Sequence, residues 1–152
     1  MKEKKEILKN PLIQELLSLN LPSNDFAVFG SAPIAANGLM DFSQVTDLDL
    51  VVRGSAWEKA KSLSKVPPKE TDLKFGDFLG FFKNGDDFEI QIYTGWPDGK
   101  WDVDELIDTA DLISGIRFVN LENVLKWKKV KIERTHKPTD AEHIKIIENY
   151  LR

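Results

Sequence analysis

The chain has 152 residues, 41% hydrophobic and 30% charged, with a formal net charge of −4. That length suits one domain burying about two-thirds of its unfolded surface, and the acidic balance gives no whole-chain signature of nucleic-acid binding. With no cysteine, a disulfide framework, thiolate metal sites and cysteine nucleophiles are excluded.

Residues 1–17 mix Lys and Glu with short apolar runs, lacking the continuous apolar core of a signal peptide. Nothing downstream approaches a membrane span, so a cytoplasmic protein with no membrane partner is expected. Asn10-Pro11 is a helix start, Asn as cap and Pro at the first helical position. Leu12, Ile13, Leu16, Leu17 and Leu19 follow at helical spacing until Pro22. Residues 26–29 form a short apolar run ended by Gly30, consistent with a buried strand. Ser31 to Asn37 predicts a short helix leaving through Asn37-Gly38, and 48–52 a second strand. Ser55-Ala56-Trp57-Glu58 fits a capping box for a helix to about Leu63, before Pro67-Pro68.

Residues 78–82 and 88–93 flank Lys83-Asn84-Gly85-Asp86-Asp87 and predict a hairpin with an Asn-Gly turn. A short acidic helix follows at about 102–109, then a small strand at 116–119. Asn120 and Thr139 are expected to cap two closing helices, with Thr139 to Glu142 as a second capping box. We see no repeat or linker. The order predicts one α/β (α+β) domain over 1–152, a small mixed sheet with helices packed against it and a helical segment from about 120 to 152.

Two D-x-D pairs occur among 25 acidic residues. Asp102 and Asp104 precede Glu105-Leu106-Ile107, where acids favour a helix start through the macrodipole. Asp47 and Asp49 instead alternate with Leu48 and Leu50 and lead into Val51-Val52. On a strand both aspartates face one way. Two acids on one face repel, which suggests a compensating cation such as Mg²⁺. Spacing alone leaves open a solvent-facing strand end. Glu89 interrupts the apolar run 88–93 with Gln91 on its face, and beside the first strand it would complete a three-carboxylate cluster able to hold two divalent ions. Asp87, next to the turn, is the rival third acid and reads as a solvated loop residue. Gly30-Ser31 adds a strand-to-helix turn with free backbone N–H groups suited to phosphate. It is neither a Walker loop nor a G-x-G-x-x-G motif.

Together Phe29-Gly30-Ser31, Asp47-Leu48-Asp49-Leu50 and Phe88-Glu89-Ile90 resemble the motifs of the nucleotidyltransferase superfamily, the polymerase beta-like fold. The closing segment with Leu125-Lys126-Trp127-Lys128 and Lys137-Pro138-Thr139-Asp140 is similar to that of small stand-alone bacterial members. The resemblance implies that Asp47, Asp49 and Glu89 bind Mg²⁺ or Mn²⁺ and carry catalysis, with Glu89 helping to deprotonate the acceptor. Gly30 and Ser31 would contact the phosphates, with Lys126 or Lys128 as a further contact. The implied reaction transfers a nucleoside monophosphate from an NTP to a hydroxyl of an unknown acceptor.

There are departures: the stretch from Ser31 to Asp47 is long, and Pro33 removes one phosphate donor. The alternative is a non-catalytic nucleotide-, metal- or partner-binding module, for example one component of a two-protein toxin–antitoxin-like system. So short a chain has little room for an acceptor domain, which points to a homodimer or protein partner supplying that surface. The basic run of Lys126, Lys128, Lys129, Lys131 and Arg134 otherwise reads as a solvated helix face, with Asp140 as a structural pairing partner. Trp96 and Trp101 are read as stacking on a base or acceptor, or as plugging the sheet's edge. His136 and His143 are read as surface residues.

Overall fold

The computed structural model of the chain describes residues 6–152. Its elements are α1 (Pro11–Ser18), β1 (Phe26–Phe29), α2 (Ala32–Ala36), β2 (Leu48–Val52), α3 (Gly54–Leu63), β3 (Lys69–Glu70), β4 (Asp77–Asn84), β5 (Asp87–Tyr93), α4 (Val103–Asp108), β6 (Asp111–Ile113), β7 (Ile116–Phe118), α5 (Leu121–Thr135) and α6 (Pro138–Leu151). The strands form one mixed sheet in the order β3-β4-β5-β2-β1-β7-β6. β2 lies at its centre, antiparallel to β1 and parallel to β5. The fold is α+β, as the element order predicts.

Period-two alternation divides the central strands between two cores. Leu48 and Leu50 of β2 and Ile90 and Ile92 of β5 pack with Leu12, Ile13 and Leu16 of α1 and Ala56 and Ala60 of α3. On the opposite face, Ala27 and Phe29 of β1 and Val51 of β2 pack with Leu106 of α4, Val124 and Trp127 of α5 and Ile147 of α6. Each fully buried Leu or Ile contributes roughly 1.5–3 kcal/mol relative to exposure. The sheet is therefore covered on both faces, and the Asp47/Asp49 end of β2 opens on the α5–α6 side. Among the described residues no helix is long and apolar enough to cross a membrane.

Several helix starts match the sequence reading. Asn10 accepts from Leu12 N at 2.9 Å, Asp102 from Asp104 N at 3.0 Å and Asn120 from Asn123 N at 2.9 Å. Two capping boxes do not form. Helix α3 begins at Gly54, and Ser55 gives its hydroxyl and its N–H to Asp25, so a carboxylate from the turn before β1 replaces the expected cap. Helix α6 begins at Pro138, whose missing N–H suits the first helical position; Thr139 is then already helical and caps nothing. The hairpin loop is also displaced. Asn84 pairs with Asp87, so Gly85-Asp86 form the two-residue turn, with Gly85 at φ +67°. Strands β3 and β6 have no counterpart in the sequence reading.

Candidate functional site

Asp47 and Asp49 open onto one cleft of about 200 Å³ on the α5–α6 side of the sheet. Its walls include Gln91 and Tyr93 of β5, Trp96, and Lys131 of α5. Asp49 lies opposite Phe29 of β1 and Gln91 of β5, at the middle of the sheet. Burial, then the neighbouring Asp47, push the Asp49 carboxyl up to about 7, against the opposing pull of Lys131 and Lys128. Asp47 is also raised, by burial and by Asp87, with Lys131 again opposing. Two carboxylates are thus held side by side with too little positive charge to offset them.

The turn before α2 is built around this pair. Gly30 has φ +73°, and a Cβ there would stand 3.1 Å from Asp49 Oδ2. Only glycine both tolerates that backbone and leaves the carboxylate its space. Ser31 accepts a hydrogen bond from Lys128 Nζ at 3.2 Å, and the same ammonium donates to Asp140 Oδ1 at 2.9 Å. Lys128 and Asp140 are each only 2% exposed. Burial pulls the Asp140 pKa up, but the bonds from Lys128 and Lys131 outweigh it and hold the carboxyl below its ordinary value. Thr135 Oγ1 donates to the second oxygen of Asp140 at 3.2 Å. Asp140 therefore pairs with the lysine run as expected, and this buried set locks α5, α6 and the Gly30-Ser31 turn together behind Asp49.

Of the residues singled out from sequence, Asp47, Asp49, Gly30, Ser31 and Lys128 come together. Lys128 does so from behind the turn, as a buried brace rather than an exposed phosphate contact. Lys126 lies elsewhere, its ammonium 5.4 Å from the ring centroid of Trp101. Glu89 does not join the aspartates. It neighbours Glu15 of α1, whose carboxyl is raised by burial and then by Glu89, so it lies on the opposite face of the sheet. The alternation of β5 breaks here. The Phe88 ring lies over Gly80, which pairs with Gln91, and Phe82 on β4 has φ +57°. Phe88 and Gln91 thus share a face although they are three residues apart, and Glu89 is turned away. The acid whose charge reaches Asp47 is Asp87.

Two residues of the site were not singled out from the sequence. Lys131, its side chain 21% exposed, lies 3.4 Å from Asp140 Oδ1 and faces the cleft. One helical turn after Lys128, it carried a signal only as part of the basic run. Gln91 occupies the position beside Asp49 where a third carboxylate was expected. Trp96 stacks on Phe29, centroids 4.2 Å apart, and Trp101 meets the same ring edge-on, so both fill the core, Trp96 also walling the cleft. His136 is exposed. His143, expected at the surface, is 8% exposed, and its Nδ1 has no hydrogen-bond partner among the described residues, because α6 turns that position toward α5.

Among the described residues there is no group of three or more His, Asp or Glu side chains able to hold a metal. Two adjacent carboxylates fit one hard divalent cation whose remaining ligands come from water or phosphate, the usual arrangement for Mg²⁺. They do not form a closed protein cage. No protein-family model matches the chain, and no curated protein matches it in sequence.

Proposed function

We propose that the cleft over Asp47 and Asp49 binds a nucleoside triphosphate together with Mg²⁺ or Mn²⁺, and that the chain is a nucleotidyltransferase. The observation that carries this reading is the pair of under-compensated carboxylates on β2, set beneath the Gly30-Ser31 turn in the same cleft as Lys131. Asp47 and Asp49 would hold the cation, which supplies charge neutralisation at the triphosphate. Lys131 would add a point charge to the phosphates, and Lys128, fixed by Asp140, would keep the turn in place. The acceptor hydroxyl gives its proton to water, its oxygen bonds the α-phosphorus, the bond to the pyrophosphate oxygen breaks, and pyrophosphate leaves. Catalysis on this account is positioning and electrostatics.

A second reading, nucleotide binding without transfer, is favoured by one observation. Gln91 stands beside Asp49, and Glu89 lies with Glu15 on the other face. Two carboxylates suit one cation, whereas the two-metal displacement uses two.

Pyrophosphate release from each of the four NTPs, with Mg²⁺ or Mn²⁺ and a panel of hydroxyl-bearing acceptors (amino alcohols, sugars and nucleosides), separates the readings. Transfer requires release above the level of an Asp47→Asn variant. Saturable binding with no release supports the binding module, and neither signal removes both.

A further inference from the structure

The carboxylate cleft adjoins a larger trough of about 550 Å³, the two sharing Phe75, Gln91, Tyr93 and Pro97. The trough is walled by aromatic rings. Phe75 and Phe78 lie 5.5 and 5.9 Å from Tyr93, centroid to centroid. Phe88 completes the floor because position 80 is glycine: a Cβ there would meet the ring at 2.2 Å. Phe75 is held in place from its own turn, its N–H donating to the buried Thr71 Oγ1 at 3.0 Å.

The rim is acidic. Glu70, Asp72, Asp86 and Asp87 line the trough against a single cation among the described residues, Lys69. Other acids close to a cation are paired with it: Asp25, Asp104 and Asp108 with Arg53, Asp98 with Arg134, and Asp140 with Lys128. Among the described residues no ion pair engages any of the four rim carboxylates. Ring faces are the negative side of the aromatic quadrupole and attract cations most strongly when partly desolvated. Rings and rim therefore select in the same direction, while Lys131 and Arg134 lie at the other end, beside Asp47 and Asp49.

We infer that the trough is the acceptor side of the site and takes an organic cation with a flat or apolar face, an amine- or quaternary-ammonium-bearing small molecule that also carries the hydroxyl the transfer needs. This rests on the nucleotide reading above and narrows it: a polyanionic acceptor such as a nucleic-acid end is repelled at this rim. The triphosphate and the acceptor would enter from opposite ends of one cleft, and Tyr93 and Gln91 would lie between them.

The test is an NMR titration of the whole chain with benzyltrimethylammonium, benzyl alcohol and benzoate, which share one ring and differ in charge. The cation should shift the resonances of Phe75, Phe78, Phe88 and Tyr93 and bind roughly tenfold more tightly than benzyl alcohol, with benzoate weakest. Phe78→Ala, outside the carboxylate cleft, should weaken the cation about fivefold or more. Phe88→Leu serves as the second variant if Phe78→Ala loses its native spectrum. Equal or tighter binding of the alcohol or of benzoate, or shifts away from these rings, overturns the assignment. Mg²⁺–ATP titrated into the same sample keeps the two readings apart. If it moves the amides of Asp47 and Asp49 while the cation series fails, only the trough assignment falls; if it moves nothing, the nucleotide reading falls as well.

Discussion

The two ends of β2 carry opposite solutions to the same problem. Just past its last residue, Arg53 is surrounded by Asp25 at 3.3 Å, Asp104 at 3.0 Å and Asp108 at 2.8 Å, and it also donates to the Asn24 carbonyl. There the acids are satisfied. The bond from Arg53 holds Asp108 below its ordinary value, and Asp25 is held down by Ser55, with Arg53 adding to it. At the other end Asp47 and Asp49 are pushed upward. The cation that pulls on both, Lys131, lies against Asp140, and Lys128 is bound to Asp140 and Ser31. A charge cluster that closes on itself ties elements together, here the turn before β1, β2 and α4. One left open is a standing demand for a cation, and it marks the place where a ligand would do what the protein does not.

Removing the cation from the closed cluster should have the largest effect. Arg53→Met leaves three carboxylates facing one another in a partly exposed, solvent-screened cluster and is expected to destabilise the chain by about 1–2 kcal/mol, measured by urea unfolding, with nucleotide binding at the folded protein unchanged. A stable Arg53→Met would erase the contrast between the two ends. Next, Gln91→Glu supplies the carboxylate that the open cluster lacks. Divalent-ion affinity should rise about tenfold, or about 1.4 kcal/mol, readable with Mn²⁺ by paramagnetic relaxation; an unchanged affinity would mean that position 91 does not reach the cation.

Lys131→Gln should weaken Mg²⁺–NTP binding about fivefold, close to 1 kcal/mol, with little change in Tm, since Lys128 still pairs with Asp140. A drop in stability without a drop in affinity would make Lys131 a structural residue only.

The smallest effect is on pH dependence, and the two ends have opposite signs. Folded Asp49 keeps its proton up to about 7, against an ordinary value of 3.8. Its ionisation therefore opposes folding fully above pH 7, and that opposition fades as pH falls toward 4. Asp25, held low, stabilises above the ordinary carboxylate value, and this is lost as pH falls through its lowered folded value. Without divalent ions, wild type should gain on Asp49→Asn as pH drops from 8 to 5, by a few degrees in Tm or about 1 kcal/mol. Parallel Tm profiles would show that Asp49 is not held against its charge.

Much of the frame was legible because its signals are local. Leu48–Val52 and Phe26–Phe29 are short apolar runs bounded by turn residues, and both are strands in the centre of the sheet. Asp47 and Asp49 share a cleft, as period two requires. What failed depended on contacts between elements. Glu89 and Gln91 share a face only in a regular strand, and Phe88 lying across Gly80 breaks that regularity from the neighbouring strand. Ser55 reads as a cap until Asp25, thirty residues earlier, is brought against it. The basic run on α5 could not be divided into a buried Lys128, an exposed Lys126 and a cleft-facing Lys131 before α6 was docked with Asp140 in place.

The central claim is that the open end of β2 takes up a divalent cation and a nucleotide together, and isothermal titration calorimetry tests it most directly. ATP, GTP, CTP and UTP are titrated into wild type and Asp49→Asn, each with and without Mg²⁺. The account predicts saturable binding of at least one NTP to wild type, dependent on Mg²⁺ and weakened at least about 100-fold in Asp49→Asn, which removes one of only two carboxylate ligands. Nucleotide binding that ignores Mg²⁺, or that survives Asp49→Asn unchanged, would contradict it.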